Sequence, residues 1–129
     1  MPIRGIRGAT VAAADTSEAI RSATRELLQA LIEANRLEPD DVASVIFTTT
    51  SDLTAEAPAR AARELGWDEA AMLCMAEMSA VGSLPRCIRV LIHWNTDKWP
   101  AEISHVYLHA ATLLRPDRAA RGNGNHSAA

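Results

Sequence analysis

The stretch Cys87-Ile88-Arg89-Val90-Leu91-Ile92 places an arginine inside a run of residues that favour β-strands. Burying a guanidinium group is costly unless an anion meets it, and that anion can be a protein carboxylate or a ligand. The surrounding segment, residues 86–96, is the strongest strand candidate in the chain. It therefore predicts both a strand of a sheet and a candidate anion-binding position.

The two faces of this strand differ in character, because side chains alternate along a strand. The apolar face consists of Ile88, Val90, Ile92 and Trp94, and the face with the arginine consists of Cys87, Arg89, Leu91 and His93. Two interpretations remain open. Arg89 could lie on the solvated side of a sheet in a weak ion pair with a surface carboxylate, or it could bind an anionic ligand.

Four other segments are β-rich and two are helical. The β-rich segments are residues 3–11, 42–50, 71–75 and 105–114, and the helical ones are residues 15–35 and 58–65. Asp15, with Glu18 three residues later, is expected to begin the first helix, and Pro58 and Gly66 are expected to bound the second. The order β-α-β-α-β-β-β predicts an α+β or α/β layer fold, in which two helices cover one face of a mixed sheet.

The composition indicates one cytoplasmic domain. A chain of 129 residues, 48% of them hydrophobic, can form a single core, which we place in residues 1–117; residues 118–129 are expected to be disordered. The net charge of −3 argues against nucleic-acid binding. No apolar run approaches the roughly 20 residues of a membrane span, and the N-terminus lacks a hydrophobic signal segment. Cys74 and Cys87 are expected to be buried thiols of a reducing compartment.

Several polar residues allow both a structural and a functional interpretation. Arg7 could protect an edge strand from pairing, or it could bind a carboxylate through its planar fork. Glu77 could be a general base or a surface charge. Cys74 could be a nucleophile, although a buried thiol is far commoner. These alternatives cannot be separated from the residues alone.

The remaining candidates favour structural roles or stay open. Arg60 is expected to pair with Glu64 on the second helix, and Arg63 allows either interpretation. His105 and His109 have the spacing of a helical metal pair, but their segment is β-rich and a third ligand is missing. The residues thus indicate a small protein whose arginines on strands could bind a small polycarboxylate, and they do not define a reaction.

Five short motifs, in one order, give the chain a wider resemblance. They are Arg4-Gly5-Ile6-Arg7-Gly8-Ala9-Thr10, Arg63-Glu64-Leu65, Cys74-Met75-Ala76-Glu77-Met78, Cys87-Ile88-Arg89-Val90 and His105-Val106-Tyr107-Leu108. Nearly the whole chain up to Asp117 resembles the AroH-type chorismate mutases. The resemblance implies an α+β subunit in a homotrimer with a pseudo-α/β-barrel core and active sites between subunits. It also implies conversion of chorismate to prephenate, for phenylalanine and tyrosine synthesis, without a cofactor or metal.

The resemblance also assigns roles to individual residues. Arg89 would donate to the ether oxygen and to a carboxylate of the substrate, Arg7 would bind a carboxylate, and Tyr107 would add a phenol hydrogen bond. Glu77 would accept a hydrogen bond from the ring hydroxyl, with Cys74 beside it. Other positions would line the cleft, and the last of them would begin a mobile tail that closes over it: Ala59, Arg60, Arg63, Leu114 and Arg115.

The chain departs from the family pattern at three places. Ala57 stands where an aromatic residue is common, Arg60 stands where a lysine is common, and residues 65–67 are one residue shorter than in a relative. These departures bear on rate and affinity more than on the reaction. Two other functions remain as alternatives to chorismate mutase: a Rid-type deaminase with arginines in intersubunit clefts, and a trimeric dicarboxylate binder without catalytic activity.

Overall fold

The computed structural model describes residues 2–80 and 83–114, which form one mixed sheet with two helices on one face. The strands are β1 (Ile3–Val11), β2 (Val42–Thr49), β3 (Ala71–Ala76), β4 (Cys87–Asn95) and β5 (Val106–Tyr107), in the spatial order β3-β2-β4-β1-β5. The helices are α1 (Ser17–Asn35) and α2 (Ala59–Glu64), and short 3₁₀ turns span Pro39–Asp41, Pro100–Glu102 and His109–Leu113. This architecture confirms the predicted α+β class.

The strongest strand candidate, β4, lies at the centre of the sheet. It pairs antiparallel with β1 on one side and with β2 on the other, while β3 runs parallel to β2 and β5 runs parallel to β1. Its apolar face, which includes the buried Val90 and Ile92, packs under α1 and α2 in the main core. The alternation of apolar residues therefore predicted correctly which face of β4 is buried.

Gly8 allows α1 to lie close to the sheet. A Cβ atom at this position would stand 2.9 Å from Leu31 Cδ1 and 3.1 Å from Leu27 Cδ1, both on α1. Because side chains alternate, the neighbours Arg7 and Ala9 point to the opposite face of β1. The sheet thus has a helix-covered face and a second, more open face.

Helix α1 begins differently from the prediction. Thr16, not Asp15, is the N-cap: its Oγ1 accepts a hydrogen bond from the Ala19 amide at 3.1 Å, and its backbone is extended, with φ −134°. The Asp15 carboxylate instead accepts from the amides of Thr54 and Ala55, at 2.9 and 3.0 Å. These bonds, led by the one from the Thr54 amide, lower the pKa of Asp15. Asp15 therefore fixes the loop before α2.

The last predicted strand, residues 105–114, was wrong over most of its length. Strand β5 covers only Val106–Tyr107, and the chain then forms the 3₁₀ turn His109–Leu113. His109 has φ 53°, in the left-handed region, and no strand continues through that conformation. The turn places Ala111 against Ala9 and Tyr107 in a small buried cluster. Tertiary packing here overrides the strand preference of the sequence.

Helix α2 follows the prediction closely, since it starts directly after Pro58 and Gly66 follows its end with φ 92°. Within residues 2–80 and 83–114, neither helix has the combination of length and hydropathy that a membrane span requires. Arg115 and the tail 118–129 lie outside the described residues.

Candidate active site

A pocket of about 280 Å³ opens on the sheet face that the helices leave uncovered. Four residues with predicted catalytic roles line it, namely Arg7, Glu77, Arg89 and Tyr107, together with the predicted cleft residue Leu114. The remaining lining residues belong to the three central strands: Gly8, Ile46, Thr48, Val90 and Leu91. The structure therefore brings together, within one chain, residues that are far apart in the sequence.

The strand register explains why these side chains meet. Arg89 lies opposite Ala9 on β1 and opposite Thr48 on β2. Tyr107 on β5 is the parallel partner of the same Ala9, and Arg7 stands two residues before it on the same face. Ala9 is fully buried, and only its methyl group stands between Arg89 and Tyr107. A larger residue at this position would reduce the space between them.

Glu77 provides the anion that Arg89 requires. Its Oε1 lies 3.2 Å from Arg89 Nε and accepts a hydrogen bond from Thr48 Oγ1 at 2.7 Å. The Glu77 amide donates to the Thr49 carbonyl at 2.8 Å, which fixes the residue just after β3. The side chain of Arg89 is 46% exposed and that of Glu77 is 20% exposed, so the pair stands at the pocket wall and not in the core. Arg89 therefore keeps a side open to a ligand.

Thr48 is a site residue that sequence analysis missed. It holds the Glu77 carboxylate from the neighbouring strand, in direct register with Arg89. The signal was available, because alternation along β2 puts Ile46 and Thr48 on the face opposite the buried Val45 and Phe47. Without the register of β2 against β4, however, nothing in the sequence connected Thr48 with Arg89.

The two cysteines differ in their surroundings. Cys87 is buried as predicted, and burial raises the pKa of its thiol, while the adjacent guanidinium of Arg89 opposes that rise. Cys74 is exposed, so the prediction of a buried thiol was wrong for this residue within the single chain. Cys74 pairs in register with the core residue Phe47, which puts it on the helix side of β3, away from the pocket.

The other predicted cleft residues also lie outside this pocket. Ala59, the first residue of α2, is buried in the core, and Arg63 is exposed on the same helix. Arg60 forms an ion pair with Glu56 at 2.7 Å, and this hydrogen bond is the main cause of a lowered pKa of Glu56. The expected pair of Arg60 with Glu64 was wrong.

Glu64 pairs with two arginines of helix α1 and not with Arg60. Its carboxylate oxygens lie 3.6 Å from the guanidinium groups of Arg21 and Arg25. Surface pairs of this kind connect α1 to α2 but contribute little to stability. Within one chain, Ala59, Arg60, Arg63 and Cys74 thus form a second group on the opposite side of the sheet.

The two neighbouring histidines have separate partners. His109 Nε2 lies 2.7 Å from Glu26 Oε1 on α1, while Nδ1 of His105 accepts the backbone N–H of Arg7 at 2.9 Å. Across residues 2–80 and 83–114, no cluster of three His, Cys, Asp or Glu side chains has an arrangement that could hold a metal ion.

Comparison with known proteins places this geometry in one family. The family model described as chorismate mutase type I matches residues 3–118. A chorismate mutase AroH from Thermus thermophilus is 51% identical over 116 residues, which cover 89% of this chain and 95% of that protein. A chorismate mutase AroH from Bacillus subtilis (strain 168) is 47% identical over 118 residues, which cover 91% of this chain and 93% of that protein.

A solved structure supports the same assignment. A chorismate mutase from Clostridium thermocellum superimposes with a TM-score of 0.83 at 48% identity, covering 85% of this chain and 98% of the other. The family match spans most of the chain, and the relatives far exceed the identity at which a shared family is secure. The chain therefore belongs to the chorismate mutase type I family.

Proposed function

We propose that this protein converts chorismate to prephenate in the pocket formed by Arg7, Glu77, Arg89 and Tyr107. The observation that carries the proposal is the half-exposed guanidinium of Arg89, held at 3.2 Å by Glu77 and lining one pocket with Arg7 and Tyr107. The relatives named above are chorismate mutases, and they favour neither the Rid-type deaminase nor the non-catalytic binder.

The proposed reaction needs positioning and a fixed cation, not proton transfer. In this Claisen rearrangement one C–O bond breaks while one C–C bond forms, and negative charge grows on the ether oxygen. A guanidinium placed there beforehand stabilises that charge, most strongly where water is excluded. Arg89 is suited to this role because it lies at the centre of the sheet, on β4, with neighbouring strands on both sides.

The substrate is a flexible dicarboxylate that must adopt a compact shape before it reacts. Cationic and phenolic donors can hold it in that shape and so remove much of the entropic part of the barrier. Arg7 and Tyr107 line the same pocket as Arg89, which allows donors to reach a carboxylate from more than one side. In this proposal Glu77 accepts from the ring hydroxyl, and Thr48 fixes the carboxylate that does so.

Product analysis tests this proposal directly. Chorismate incubated with the purified protein is expected to give prephenate in equal amount, which proton NMR of the reaction mixture distinguishes from chorismate. Release of ammonia from an imine or amino substrate would instead support the deaminase. Binding of chorismate without any change in its spectrum would support the non-catalytic binder.

We further propose that the active unit is a homotrimer with sites between subunits, in the cytoplasm. The open sheet face carries a row of apolar side chains in register, Leu73 on β3, Ile46 on β2 and Leu91 on β4. Leu73 is 63% exposed, and nothing in the described part of the chain covers it. An exposed apolar row in a small domain favours burial against another copy.

The placement of the second residue group supports the same assembly. Arg63 and Cys74 lie on the helix side of the sheet, so they cannot reach the pocket of their own chain. If these residues take part in catalysis, they must do so in the pocket of a neighbouring subunit. In the proposed trimer Arg63 and Cys74 could reach a pocket, because each site would combine the open face of one subunit with the α2 and β3 region of the next.

Replacement of Leu73 by lysine is expected to dissociate the trimer. A charge in the buried interface would be costly, whereas in an isolated subunit Leu73 is already exposed and the change would be nearly neutral. Light scattering at micromolar concentration should give the mass of a trimer for the wild type and a monomer for Leu73→Lys. Gln29→Lys, which places the same charge on the exposed side of α1, is the matched control and should remain trimeric. A wild-type monomer would refute the assembly.

A further inference from the structure

We propose that His105 is a positioning residue for Arg7, acting through the Arg7 backbone. Nδ1 of His105 accepts a hydrogen bond from the Arg7 amide at 2.9 Å. This inference rests on the proposed role of Arg7 in binding a substrate carboxylate. His105 does not line the pocket that contains Arg89. In this inference it affects the substrate only through Arg7.

The contact between His105 and Arg7 lies just beyond the last paired residues of β1 and β5. Strand β5 pairs with β1 only at Gly8 and Ala9, and the Leu108 amide donates to the Ala9 carbonyl at 2.9 Å. In a strand, the backbone groups of alternate residues point to the same edge, so the Arg7 amide faces this edge as well. No β5 residue pairs with Arg7, and the His105 side chain supplies the acceptor that a longer β5 would have supplied.

The same geometry leaves the Arg7 amide without a hydrogen bond to β4, the strand on the other side of β1. Because its amide points towards β5, it does not bond to its partner Leu91 on β4. The His105 contact is therefore the hydrogen bond that fixes the Arg7 amide. Losing it would let this part of the β1 backbone shift, and the guanidinium at the end of the Arg7 side chain would shift with it.

The backbone just before His105 is anchored to helix α1. The side chain of Asn35, the last residue of α1, accepts from the Ser104 amide and donates to the Ser104 carbonyl, both at 2.9 Å. Asn35 is buried, and its amide group also donates to the Leu31 carbonyl at 3.1 Å. A two-point clamp thus connects the end of α1 to the residue before His105, and His105 connects that clamp to Arg7.

The chemistry of the contact defines which substitutions retain it. An acceptor at Nδ1 requires a neutral imidazole with its proton on Nε2. Asparagine can place its carbonyl oxygen where Nδ1 stands, so His105→Asn keeps an acceptor for the Arg7 amide. Alanine at this position removes the acceptor and leaves the amide without it. Comparison of the two variants therefore isolates the effect of the hydrogen bond to the Arg7 amide.

Kinetics of the two variants test the inference. A carboxylate contact is made in both the ground state and the transition state, so weakening it raises KM and leaves kcat nearly unchanged. His105→Ala is expected to raise KM for chorismate about three- to tenfold, the range of one lost hydrogen bond, with kcat within about twofold of wild type. His105→Asn is expected to retain the wild-type KM. An unchanged KM in His105→Ala, or a loss confined to kcat, would overturn the proposal.

A double variant shows whether His105 acts through Arg7. In an Arg7→Ala background, adding His105→Ala should change KM by less than about twofold, because the group that His105 positions is already gone. An additional loss as large as that of the single variant would show an independent role and would contradict the inference. Similar melting temperatures of His105→Ala and His105→Asn exclude a general loss of stability as the cause of the difference.

One readout does not depend on activity. Hydrogen exchange of the Arg7 amide should become faster in His105→Ala than in the wild type and in His105→Asn. If the wild-type protein fails to convert chorismate, the proposed function fails while this exchange difference still stands. If chorismate is converted and the exchange rates of all three proteins agree, the positioning role fails while the function stands.

Discussion

Arg89→Ala is expected to lower kcat by at least about 10²-fold, a loss on the order of 3 kcal/mol or more of transition-state stabilisation. The reason is that the guanidinium of Arg89 is a cation in the wall of the pocket, held at 3.2 Å by Glu77 and proposed to meet the ether oxygen. Steady-state kinetics with chorismate measure the effect. KM should change less than kcat, because charge develops on the ether oxygen only as the bond breaks.

Two further variants make the Arg89 result interpretable. Arg89→Lys keeps a positive charge but loses the planar fork, so its kcat should lie between those of wild type and Arg89→Ala. Arg25→Ala removes an arginine that pairs with Glu64 at 3.6 Å on the helix side, and it should leave kcat unchanged. Because Arg89 is 46% exposed, Arg89→Ala should still fold, which circular dichroism can verify. Turnover near that of the wild type in Arg89→Ala would contradict the proposed mechanism.

Arg7→Ala is expected to raise KM for chorismate by about 10- to 10²-fold. A hydrogen bond between charged groups contributes about 1.5–3 kcal/mol, and Arg7 is proposed to form such bonds with a substrate carboxylate. Arg7 is exposed and points to the open face of β1, where it lines the pocket. Removal of its side chain should therefore affect the substrate more than the fold.

Arg4 provides the matched control on the same strand. Its Nε donates to the Lys98 carbonyl at 2.9 Å, and its guanidinium lies 5.9 Å from the centre of the Trp99 ring, on the other face of β1. Arg4→Ala should thus cost some stability through the lost contact with Trp99 and leave KM unchanged. Equal KM values for Arg4→Ala and Arg7→Ala would show that substrate binding does not distinguish the two faces.

The fold could be predicted from the sequence wherever local pattern and tertiary packing agree. The apolar alternation of residues 86–96 and the helical spacing of Leu27, Leu28 and Leu31 correctly identified strand β4 and the main helix. It was not possible to predict the end of β5, because the turn after it depends on the packing of Ala111 against Ala9 and Tyr107. Long-range contacts of this kind leave no periodic signal in a short segment.

The site was predicted in two different ways. The residues alone indicated arginines on strands, and the resemblance to a family named Arg89 and Glu77 as site residues, which lie 3.2 Å apart in the structure. Thr48 was missed because its role depends on the register of β2 against β4. The pairing of Glu56 with Arg60 was missed because α1 supplies competing cations for Glu64. Contacts between separate elements were thus the part that sequence analysis could not supply.

The rate of chorismate consumption tests the central claim most directly. Purified wild-type protein and Arg89→Ala are compared, at equal concentration, by the loss of chorismate ultraviolet absorbance, with buffer alone as the uncatalysed reference. The proposal predicts rapid loss with the wild type, formation of prephenate in equal amount, and a rate at least about 10²-fold lower for Arg89→Ala. A wild-type rate equal to that of buffer, or equal rates for the two proteins, would contradict it.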